Sequence, residues 1–134
     1  MSAYRDTFIR LATDCPESRA IEPPVRGKAV PLHLIQLELL KEHPYRYTHE
    51  ALVVESELRR HSPPLETKAE ILARIRSKPL ACLRCSPLAK RYGWGFHFDE
   101  KGRVAVVPAG TAEYLAFEKR ADLQQVHAMR TKRA

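Results

Sequence analysis

The stretch "WGFHFDEKGRVAV", Trp94–Val106, decides how the chain is read. Glu100-Lys101-Gly102 suits a three-residue hairpin loop, a type I turn closed by a glycine in the left-handed conformation. Pairing Asp99 with Arg103 sets Phe98 opposite Val104 and Phe96 opposite Val106. One face of the hairpin is then wholly apolar, which fixes a register, because a slip by one residue turns every side chain to the wrong face. The other face carries His97, Asp99 and Arg103.

Immediately upstream, "CLRCSPLAKRYG" supplies a short helix. Ser86 is a good N-cap, Pro87 suits the first helical position, and Gly93 is placed to end the helix. Farther upstream, Thr67 and Glu70 form a capping box at the start of a helix presenting Ile71, Leu72 and Ile75. "HEALVVESELRR" alternates, with Leu52, Val54 and Leu58 on one side and Glu55 and Glu57 on the other, and reads as a strand. Pro31 opens a largely apolar helix that must stop before Pro44. "CPESRAIEPPVRGKAVP" is an irregular surface connection, and "DTFIRLA" a short first strand. Downstream, Thr111 caps a helix running to about Lys119, and "LQQVHAMR" reads as a last strand. The tail "MRTKRA", residues 129–134, is expected to be partly mobile unless a partner holds it. These elements predict an α+β fold in one domain, a small antiparallel sheet of three or four strands covered on one face by two or three helices.

With 134 residues, 44% of them hydrophobic and 29% charged, the chain can bury a core of ordinary globular type. No apolar run is long enough for a membrane span and the start does not resemble a secretory leader, so a cytoplasmic protein without a membrane partner is expected. Three cysteines, an odd and sparse set, fit a reducing compartment better than a disulfide framework. The net charge of +7 is uneven: residues 84–134 hold ten Lys/Arg against five Asp/Glu. Such a basic segment attracts phosphate-bearing ligands, nucleic acid or an acidic protein.

Three candidate chemistries follow. Cys82 and Cys85 have the spacing of half a zinc site, but no second pair accompanies them, so packing is the expected role, with no metal and no cofactor. "RCSPLAKRYGWGFH" interleaves basic and aromatic groups. Arg84 and the Ser86 region would meet an anion, with Lys90, Arg91, Trp94 and His97 lining the approach. "EHPYRYTHE" would place His43, Tyr45, Tyr47 and His49 on one side if extended, an arrangement open to acid–base chemistry with Glu50 orienting a histidine. No glycine-rich phosphate loop, His-Glu-x-x-His helix or nucleophile elbow is present, and whether the chain is an enzyme stays open. A binding module for an anionic ligand, nucleotide or nucleic acid, is the first reading. A small histidine enzyme and a structural or interaction subunit are the others.

"TFIRLATDCP", "EHPYRYTHEALVVE", "CLRCSPLAKRYGWGFHFDEKGRVAV" and "HAMRTKR" together resemble a small bacterial family, a domain of unknown function. The resemblance spans nearly the whole chain and is best over Cys82–Asp99. It implies no activity, cofactor or site residue. The family pattern often has a small non-cysteine residue where this chain has Cys85.

Overall fold

A computed structural model describes residues 4–25, 27, 30–61, 63–77 and 82–130. Residues 131–134 of the tail expected to be mobile lie outside them. The hairpin is as the sequence predicts: β2 (Trp94–Phe98) pairs with β3 (Val104–Pro108), with Phe98 opposite Val104 and Phe96 opposite Val106. The Asp99 carboxylate accepts from the amides of Lys101 and Arg103 and so closes the turn.

Two further strands complete a sheet of order β3-β2-β1-β4. The first strand, β1 (Thr7–Arg10), is antiparallel to β2, and the last, β4 (Gln124–His127), is parallel to β1. The α+β class and the four strands therefore hold, while the sheet is mixed rather than wholly antiparallel. Nor do the helices keep to one face. Ile9, Phe96, Phe98 and Val104 pack with α1 (Leu32–Glu42), whereas Phe8 and Val107 pack with Tyr114 of α5 (Ala112–Glu118) on the other face.

The segment read as a strand at "HEALVVESELRR" is a helix, α2 (His49–Arg60). Thr48 caps it, its hydroxyl accepting from the Ala51 amide. The residues it buries, Leu52, Val53, Val54 and Ser56, have helical spacing, and Glu55 pairs with Arg59 one turn on. The apparent alternation was a by-product of that wider stripe. The capping box at Thr67 forms as predicted and starts α3 (Lys68–Arg76), which buries Ile71 and Ile75 against Val53 and Val54.

After α3 the described chain resumes at Cys82. One 3-10 turn (Leu83–Cys85) leads into α4 (Pro87–Arg91), capped by the Ser86 hydroxyl on the Leu88 amide. Gly93 follows with φ of 80°, and a Cβ there would lie 2.3 Å from the Arg19 carbonyl oxygen. Only glycine lets the irregular N-terminal connection come so close. That connection is held by Ile21 N to Tyr92 O and by the Trp94 indole N–H to Ile21 O, at 2.9 and 2.7 Å.

Candidate functional site

α1, α2 and α3 do not close completely on the turn at Cys82–Cys85. A cavity of about 490 Å³ remains between them, within the roughly 300–1,000 Å³ usual for small-molecule sites. Leu32, Val53, Ile75, Leu83 and Pro87 make most of its wall apolar, and Cys82, Cys85 and Ser86 form its rim on the α4 side.

The polar groups within it are unusual. Gln36 is only 7% exposed and lines the cavity, yet no side-chain hydrogen bond joins it to another described residue. The His33 Nε2 atom is enclosed and has no hydrogen-bond partner among the described residues, although its ring stacks on Tyr92 with centroids 5.6 Å apart. Buried polar atoms are normally satisfied, since leaving one unpaired costs about 1–3 kcal/mol. Burial lowers the His33 pKa and takes that of His49, on the facing wall, down to about 4. Both rings are therefore neutral near pH 7. Arg74 brings no free charge to the cavity, because Glu66 and Glu57 hold its guanidinium at 2.9 and 3.3 Å. Burial dominates the environment, and the walls are close to uncharged.

The six residues read from the sequence as one ligand pocket are dispersed along this region. Ser86 lines the cavity and caps α4. Arg84, in the turn beneath the rim, donates its Nε to the His127 carbonyl at 2.7 Å. Lys90 and Arg91 lie in the last turn of α4, where their charge favours the helix C-terminus. Trp94 is 8% exposed, its N–H spent on Ile21 and its ring covered by Lys41. His97 neighbours it by only three positions but faces the opposite side of the sheet, against Phe117, with centroids 4.5 Å apart.

The histidine-tyrosine run also divides. Tyr45 takes a left-handed backbone, φ 60°, rare for a bulky residue, and shares a 2.7 Å hydrogen bond with His97 Nδ1. Glu50, instead of orienting a histidine, is bound by Arg76 at 2.6 Å. Among the described residues no three His, Cys, Asp or Glu side chains gather as metal ligands, and no helix is long and apolar enough to cross a membrane. His33 and Gln36 escaped the sequence reading. Their signal was weak: two polar residues, one turn apart, which with the exposed Glu38 interrupt the apolar run "LHLIQLELL".

Fold and site together define an α+β protein with a mixed four-stranded sheet and a lateral, nearly neutral cavity. The chain belongs to a family of unknown function, DUF6157, whose family model matches residues 1–134. No curated protein and no solved structure matches it.

Proposed function

We propose that the chain is a single-domain binding module whose ligand occupies the cavity between α1, α2, α3 and the Cys82–Cys85 turn. The observation that carries this reading is His33 Nε2, enclosed and without a hydrogen-bond partner among the described residues, on a largely apolar wall that the Gln36 side chain also lines. A folded chain bears that cost where a bound molecule relieves it. The neutral walls suit a small, largely apolar molecule with a hydrogen-bonding head group that meets Gln36 and His33. An acidic substituent on it would face the rim, where the charges of Arg84 and Lys90 already act on Cys85. This keeps the binding role read from the basic segment and moves the ligand away from Trp94 and His97.

Ligand-detected NMR with a fragment set of aromatic amides and alcohols tests the proposal. Fragments should bind the native chain and lose at least tenfold in affinity to a Gln36→Leu variant that keeps its fold. Equal binding by that variant, or no binding by either protein, would sink it.

A further inference from the structure

We propose that the sulfur atoms of Cys82, Cys85 and Met129 form a site for one soft monovalent metal ion, copper(I), on the rim of the cavity. The inference is independent of any ligand within. Cys85 Sγ lies 3.4 Å from Met129 Sδ. The 3-10 turn folds the two ends of the Cys-x-x-Cys segment together, with Cys85 N donating to Cys82 O at 3.0 Å. Two segments far apart in sequence thus bring Met129 to a turn that carries both cysteines.

The meeting is clamped. Met129 N donates to Arg84 O at 2.9 Å, and Arg84 Nε donates to His127 O at 2.7 Å. These reciprocal bonds hold the strand end after β4 against the turn that carries both cysteines. With metal–sulfur bonds of about 2.3 Å, the ligands of a trigonal ion stand about 4 Å apart. Cys85 and Met129 therefore need only a small outward shift.

The donor set selects the ion. Thiolate and thioether are soft ligands that favour copper(I), whereas calcium and magnesium demand oxygen. Structural zinc closes with four ligands, and no further His, Asp or Glu among the described residues joins these sulfurs. Binding replaces two thiol protons with one copper(I), which leaves a net charge of −1 at the site. Arg84 and Lys90, whose charges already favour the Cys85 thiolate, offset it.

The test is an anaerobic titration of the reduced, full chain with copper(I) against the chelator bathocuproine disulfonate, followed by X-ray absorption at the copper edge. One ion per chain, three sulfur scatterers and release of two protons are expected. Met129 is about half exposed, so Met129→Leu should fold normally. It should lose one scatterer and about tenfold in affinity, while Cys82→Ser should lose at least a hundredfold. The proposal is overturned if the chelator keeps all the copper, if one ion is shared between two chains, or if Met129→Leu binds as the native chain does.

Discussion

His97 and His33 are both ring systems withdrawn from water, and the fold treats them in opposite ways. On the α5 side of the sheet, His97 is 7% exposed, hydrogen-bonded to Tyr45 and packed on Phe117. On the α1 side, His33 stacks on Tyr92 but leaves Nε2 enclosed with no partner among the described residues, on the wall that Gln36 also lines. The first arrangement is saturated and acts as a fastener. It ties the α1–α2 connection, which also bonds the edge of β3 through Tyr45 N to Val104 O, to the centre of the sheet. The second has unspent bonding capacity next to empty volume. Burial lowers the pKa of both residues, yet they differ in kind, and the difference lies in their partners.

The contrast can be attacked at several points. The largest effect should come from the apolar face on which both sides depend. Phe96→Ala removes a fully buried ring from the hairpin, and should cost about 3–5 kcal/mol in denaturant unfolding. An unchanged unfolding midpoint would mean that the hairpin register differs from the one described.

Acid should come next. His33, His49 and His97 all have pKa values lowered by burial, that of His49 to about 4 from an ordinary 6.5. The unfolded chain then takes up protons at a higher pH than the folded one. Stability is therefore complete above about 6.5 and falls as the pH drops toward 4, by on the order of 3 kcal/mol for His49. Thermal melts across that range should show the slope, and His49→Gln should flatten it.

The last two changes carry opposite signs, which is where the comparison is sharpest. Tyr45→Phe deletes one hydroxyl and strands the buried His97 nitrogen, for a loss of about 1–3 kcal/mol. Gln36→Leu removes an amide that has no partner, and should raise stability by about 1 kcal/mol. If the two substitutions shift the melting temperature in the same direction, the distinction between a saturated and an open side is wrong.

What the sequence made legible was local. The turn at Glu100–Gly102, the caps at Ser86, Thr67 and Thr111, and the apolar pairing of Phe96 and Phe98 each depend on residues within a few positions of one another. All of them are present. α2 was obscured because Leu52, Val54 and Leu58 satisfy a period of two while Val53 and Ser56 complete a helical face. The Glu55–Arg59 spacing was the better guide. The parallel pairing of β4 with β1 is set by tertiary assembly, and no short-range pattern encodes it. The cavity is likewise a remainder, the space three helices and a turn leave between them. Its unpartnered groups can be identified only once every possible partner has been located.

The placement of β1 also bears on how the molecule is made. Phe8 lies in an inner strand, yet its neighbours across the sheet are His97 on one side and Gln125 on the other. During translation β1 leaves the ribosome early, with both edges unpaired, while α1, α2 and α3 are still being added. It must wait for β2 before any sheet exists and for β4 before its second edge is covered. Helices rich in local contacts form quickly, and strands that pair across long separations form slowly. The nascent chain therefore carries an unpaired apolar strand until β2 has been made, and an exposed strand edge of that kind is where aggregation and chaperone capture compete with folding.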